Sequence, residues 1–212
     1  MGESRTEISL ADGLNLADGL TSASPLILAS ASPRRRDLLT QIGISHLVHP
    51  ADIDETRHAG EAPEAYVRRL ALEKARTVAL AQPGVTVLAA DTTVVLDGQV
   101  LNKPADRAEA GRMLRSLAGR MHHVHTGIAV LSPAGEWAHV ETTAVSFAAI
   151  SAVELEAYLD TGDSLDKAGA YGIQGYAARW IERIEGDFFN VVGLPLVSVL
   201  RLLRLAVVAA SH

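Results

Sequence analysis

Two hydrophobic periods run through the chain. Short continuous apolar runs mark buried strands, and apolar residues spaced three or four apart mark helices. Residues 26–29 (Leu-Ile-Leu-Ala) form such a run, a buried strand. Ser30-Ala31-Ser32-Pro33 then turns the chain into a helix, with Ser32 as N-cap and Pro33 as first helical residue. Leu38, Leu39 and Ile42 form its apolar face, and Gly43 ends it. Residues 47–53 read as a second strand, before the acidic pair Asp54-Glu55. Pro63 opens a longer helix whose face carries Tyr66, Val67, Leu70, Ala71 and Val78, and Pro83-Gly84 breaks it. Residues 85–90 are apolar but for Thr86, a buried strand ending at Asp91, and residues 92–96 continue extended. Asp97-Gly98 is a hairpin signal before residues 99–101. Beyond it come a helix at 105–117, strands at 124–131 and 142–147, and a short helix at 153–159. A glycine-rich loop at 166–175, a strand at 179–184 and an apolar C-terminal helix follow. Interleaved strands and helices with hairpins predict an α/β fold, a mixed twisted sheet with flanking helices.

The 212 residues suit a single domain, assigned to residues 25–210. Residues 1–24 mix charges at Glu3, Arg5 and Glu7 and repeat Ala-Asp-Gly-Leu; they read as a disordered extension. The absence of cysteine excludes disulfides and thiolate metal sites. The apolar stretch at 194–210 is interrupted by Pro195, Arg201 and Arg204, so it predicts a buried amphipathic helix and no membrane span. The cytoplasm is the expected compartment. A formal charge of −6 argues against long nucleic acids as partners. A small anionic substrate would need a local basic cluster against that background.

Several groups could supply one. Ser32, Arg34 and Arg35 sit at a helix N-terminus, where free N–H groups and the helix dipole favour anions. Helical phase puts Arg35 on the buried face, where it needs an anionic partner, and points Arg36 away. Lys74, Lys103 and Lys167 are isolated lysines; Lys103 precedes a proline and Lys167 opens the glycine-rich loop. Asp91, at the end of an apolar strand, suits a metal ligand or a proton acceptor, and Asp54-Glu55 offers oxygen ligands. Glycines at 169, 172 and 175 permit close backbone approach, and Gln174 could pair with a base edge. No dinucleotide-binding, P-loop or serine-hydrolase motif is present. His123 and His125 would share a strand face, but no nearby carboxylate completes a zinc set.

Taken in order, these segments are specific. Leu-Ala-Ser-Ala-Ser-Pro-Arg-Arg-Arg-Asp-Leu-Leu at 28–39, Asp-Ile-Asp-Glu at 52–55, Arg-Leu-Ala-Leu-Glu-Lys-Ala at 69–75 and Ala-Asp-Thr at 90–92 are followed by Leu-Asn-Lys-Pro at 101–104. Asp-Lys-Ala-Gly-Ala-Tyr-Gly-Ile-Gln-Gly at 166–175 and Val-Gly-Leu-Pro-Leu at 192–196 complete the set. The chain resembles the Maf family of nucleoside triphosphate pyrophosphatases, the septum formation inhibitor proteins, from about residue 26 to 203. The resemblance implies two lobes around a cleft, a fold like that of inosine-triphosphate pyrophosphatases, and metal-dependent cleavage between the α and β phosphates. By position, Asp91 is the implied proton acceptor, and Glu55 and Asp91 are the carboxylates for a divalent cation, Mg or Mn. Ser32, Arg34, Arg35, Lys74 and Lys103 are the implied cleft lining. The specificity positions fall on Arg34, Thr92 and Gln174, whose identities resemble the branch acting on dTTP and UTP. The departures are the N-terminal extension and Asn102 before the lysine. A homodimer is the assembly the family suggests. The alternative function is a non-catalytic nucleotide-binding regulator of cell division.

Overall fold

The computed structural model describes residues 26–210; the expected extension at 1–24 lies outside the described residues. The elements are β1 (Leu26–Leu28), α1 (Pro33–Gln41), β2 (His46–Val48), α2 (Pro63–Ala81), β3 (Thr86–Leu96), β4 (Gln99–Leu101) and α3 (Arg107–Leu117). They continue with β5 (Met121–Ser132), β6 (Gly135–Phe147), α4 (Ala152–Asp160), β7 (Ile181–Glu185), α5 (Phe188–Val192) and α6 (Leu196–Ala210). One seven-stranded sheet runs β2-β1-β3-β5-β6-β7, with β4 added to β3. β1 is parallel to β2 and β3, and the other pairs are antiparallel, so the expected mixed sheet is present.

The two-residue period of a strand divides the core between the two sheet faces. Leu26, Leu28, Leu88 and Ala90 pack with Leu38 and Leu39 of α1 and with Val199, Leu202 and Leu203 of α6. Ile27, Ala29, Val87 and Ala89 face the other way, onto Ala71, Ala75 and Val78 of α2. A further core gathers Val94 and Leu96 with Leu114 and Leu117 of α3, Tyr158 and Leu159 of α4, Phe147 and Trp180. β3 supplies residues to all three cores.

That sharing corrects one expectation. Asp91 does not end a strand; β3 is continuous for 11 residues and Asp91 lies mid-strand. What ends is its neighbour. β1 pairs with β3 only from Thr86 to Leu88, and β4 only from Val94 to Leu96, on the same edge. Residues 89–93 fall between the two partners, and the cleft opens at that gap.

The expected strand at 47–53 is also shorter. It stops at Val48; the His49 amide still reaches the Leu28 carbonyl at 3.0 Å. Pro50 has no N–H to continue the ladder, and residues 49–62 leave the sheet as a loop that carries Glu55. β5 and β6 are longer than their apolar cores suggested, because β6 is mostly half-buried and its polar residues blur the alternation. No helix among the described residues is long and apolar enough to cross a membrane.

Candidate functional site

The gap between β1 and β4 along the edge of β3 opens into a cleft of about 760 Å³. The nine residues that the family resemblance assigns to the site (Ser32, Arg34, Arg35, Glu55, Lys74, Asp91, Thr92, Lys103 and Gln174) all line it. They come from α1, the loop after β2, α2, β3, the turn after β4 and the glycine-rich loop.

On the α2 side, Lys74 extends from the buried helix face to two carboxylates. Its Nζ lies 2.6 Å from Asp91 Oδ1 and 2.6 Å from Glu55 Oε1. Lys74 and Asp91 are both buried, whereas Glu55 is half-exposed. Burial alone would raise the Glu55 pKa. The Lys74 hydrogen bond, with the charges of Lys74, Lys103 and Arg35, outweighs it and holds the carboxyl below its ordinary value. One ammonium against two carboxylates leaves the trio formally at −1. Asp54, the other half of the acidic pair, instead accepts from the Thr56 amide at 2.9 Å in an exposed turn.

Lys74 reaches Asp91 because α2 lies unusually close to the sheet. Gly127 on β5 is the register partner of Asp91. A Cβ at Gly127 would overlap the Val67 carbonyl oxygen and sit 2.8 Å from the Arg68 nitrogen. Val67 stands seven residues before Lys74, two turns along the same helix face. The missing side chain at Gly127 thus brings the lysine to its partner. Sequence patterns gave no sign of this, because an isolated glycine within a strand does not say what approaches it.

On the other sheet face, Ser32 occupies the N-cap of α1 but makes no side-chain capping bond. The first-turn amides of α1 are therefore left uncapped by Ser32, beside the cleft. Arg35 departs from the expected anionic partner. Its Nε donates to the Gly193 carbonyl (2.8 Å), Nη1 to Ser30 Oγ (3.0 Å) and the Ala90 carbonyl (2.8 Å), and Nη2 to Thr92 Oγ1 (3.0 Å). Neutral acceptors can satisfy a buried guanidinium when enough of them surround the fork. Burial lowers the Arg35 pKa, and the nearby Asp91 charge counters that. Arg35 thus ties α1, β3 and the turn before α6 into one wall.

The far wall is the glycine-rich loop. Gly169 has φ +64° and would drive a Cβ to 2.8 Å from Val94 Cγ2, so only glycine lets the loop lie against β3. Arg34 crosses the cleft mouth to Asp166 Oδ2 at 3.1 Å. Lys167 does not join the basic cluster that its position suggested. It turns under the loop to the Asp163 carbonyl, Asp163 Oδ1 (2.7 Å) and Asp166 Oδ1 (2.6 Å), and so holds the loop together. Lys103 and Gln174 are exposed on the wall.

Residues 25–206 match the model of the Maf-like protein family. The chain belongs to the Maf-like family. A curated relative from Koribacter versatilis, named dTTP/UTP pyrophosphatase, is 52% identical over 181 residues, spanning 85% of this chain and 94% of the relative. One of the same name from Myxococcus xanthus is 54% identical over 181 residues, spanning 85% and 92%. Among solved structures, this Maf-like chain is similar to a HAM1 protein from Coxiella burnetii, with a TM-score of 0.44 and 18% identity over 58% of this chain and 73% of that one. That likeness is too slight to bear on the Maf-like fold or its activity.

The histidines of this Maf-like chain divide by strand face. His123 and His125 share a strand face, as their spacing predicted, and stack with ring centres 6.2 Å apart. His122 points to the opposite side, buried against Phe147, with Nε2 2.7 Å from the Tyr171 hydroxyl. Among the described residues no three His, Cys, Asp or Glu side chains gather in metal-binding geometry. The cleft instead offers the pair Glu55 and Asp91. Two carboxylates are what a magnesium-type ion takes from protein when substrate phosphates and water supply its remaining oxygens.

Proposed function

We propose that the chain hydrolyses the α–β phosphoanhydride of dTTP or UTP, releasing the nucleoside monophosphate and pyrophosphate. The observation that carries this reading is the Lys74–Asp91–Glu55 trio on the cleft floor, beneath a rim of Arg34, Lys103 and the uncapped α1 terminus. The name borne by relatives at 52% and 54% identity supports the same chemistry.

Asp91 takes the proton of the attacking water. Lys74 engages Oδ1 of Asp91, which orients the carboxylate and leaves Oδ2 for the water. Arg34, Lys103 and the α1 amides bind the triphosphate oxygens, so the leaving pyrophosphate departs with its charge paired. Arg35 acts from within the wall by fixing Ala90 and Thr92 on either side of Asp91. Glu55 and Asp91 would hold a divalent cation, which when bound supplies charge neutralisation at the reacting phosphoryl group. Arg34, Thr92 and Gln174 support a pyrimidine as the base.

Incubation with dTTP or UTP and Mg²⁺, with product analysis, tests the reading. Pyrophosphate and the monophosphate are expected, and orthophosphate with the diphosphate would refute it. Asp91→Asn should lower kcat by about 10²–10⁴-fold. Binding of nucleotide without turnover would favour the non-catalytic regulator instead.

A further inference from the structure

Asn102 precedes Lys103 on the cleft wall and has no role in the chemistry above. Its side-chain amide nevertheless joins β3 to α2. Thr93 Oγ1 donates to Asn102 Oδ1 at 3.0 Å, and Asn102 Nδ2 lies 3.3 Å from the Tyr66 hydroxyl. The Tyr66 hydroxyl donates to the main-chain carbonyl of Glu55 at 2.9 Å. The main-chain carbonyl of Asn102 accepts from the Gly169 amide at 3.3 Å.

The direction of this chain is forced. A phenol has one hydrogen, and the Glu55 carbonyl can only accept it. Tyr66 Oη is therefore an acceptor toward Asn102, which must present its NH₂ there and its oxygen to Thr93. Thr93 is fully buried on β3, two residues from Asp91 and on the same strand face. Tyr66 is buried on α2, two turns before Lys74. Between them, Asn102 spans from the strand that holds the proposed base to the loop that holds the second carboxylate. That loop, residues 49–62, has left the sheet at Pro50 and relies on such side-chain ties; Arg69 supplies another, to the Thr56 carbonyl at 3.1 Å.

We propose that Asn102 is a positioning residue that acts through Tyr66 to hold Glu55 against Lys74 and Asp91. The proposal rests on the pyrophosphatase reading for its effect on rate, but not for its effect on the loop. With the amide removed, Tyr66 loses the donor that orients its hydroxyl, and the Glu55 backbone gains freedom.

Four variants test it: Asn102→Ala, Tyr66→Phe, their double, and Asn102→Ala in a Glu55→Gln background. Losing one such hydrogen bond should lower kcat for dTTP about three- to tenfold, with KM changed less than about twofold. The double variant should be no slower than the slower single. Asn102→Ala should add nothing once Glu55 is Gln. Amide hydrogen exchange over residues 49–62 should quicken by about the same three- to tenfold in both single variants, since local opening scales with the bond lost. Unchanged exchange in that segment overturns the proposal whatever kcat does, and so do losses that multiply in the double variant or in the Glu55→Gln background. A purely structural role would lower Tm and leave kcat and KM of the folded protein alone. An inactive wild-type chain would defeat the pyrophosphatase reading, while the exchange measurement would still decide the positioning role.

Discussion

Replacing Gly127 with alanine adds one methyl group at the level of Asp91. The backbone at Gly127 is not left-handed, so alanine meets no conformational penalty there and only space is at issue. The space is occupied by backbone: the Val67 carbonyl oxygen, and the Arg68 nitrogen at 2.8 Å from the new carbon. Carbon prefers contacts near 3.5 Å, so α2 must retreat by about 1 Å. A helix backbone cannot rotate out of the way as a side chain would. Overpacking of this kind costs about 1–3 kcal/mol, or roughly 2–12 °C in Tm for a domain of this size. The retreat also carries Lys74 away from Asp91 and Glu55, now 2.6 Å distant from each. Misplacing catalytic groups by that much can cost about 10–100-fold in kcat. Differential scanning fluorimetry and a pyrophosphate-release assay measure the two effects. Gly127→Ala with wild-type Tm and wild-type kcat would refute the claim that this glycine sets the height of α2 over the sheet.

Three further outcomes are expected. Arg35→Lys replaces a four-bond fork with one ammonium and strands at least one buried acceptor, so Tm should fall by roughly 2–12 °C for about 1–3 kcal/mol; an unchanged Tm would contradict the clamp. Burial holds His122 at about 4 against an ordinary 6.5, so the unfolded chain binds its proton first. Stability should therefore be intact above pH 6.5 and fall, by up to about 3 kcal/mol, as pH drops toward 4. His122→Gln should flatten that part of the Tm-against-pH curve, and an identical slope would count against the assignment. Asp166→Asn releases Arg34 from a half-exposed ion pair and should lower KM for dTTP about two- to fivefold, the range for such pairs; a raised KM would show that the pair aids binding.

Much of this molecule is legible in its sequence. Short apolar runs and capped amphipathic stretches marked nearly every element, and ordered motifs singled out nine residues that the structure brings to one cleft. Local chemistry suffices there, because strand and helix periods and turn residues act over a few positions. Residue roles were less legible. Arg35 and Lys167 looked like ligands for an anion, yet one spends four of its five N–H donors on carbonyls and hydroxyls and the other turns to the acids of its own loop. A cation's availability depends on which acceptors the fold places around it, and those lie up to 158 residues away.

The sequence by itself determined the alternation of strands and helices, the family and the candidate polar groups. Only the tertiary structure decided why Asp91 lines a cleft from the middle of a strand: β1 stops pairing before it and β4 starts after it. Likewise, only the approach of α2 over Gly127 decided that Lys74 would meet Asp91. Both depend on where separate elements come to lie in space, and that is set by packing among residues distant in the chain.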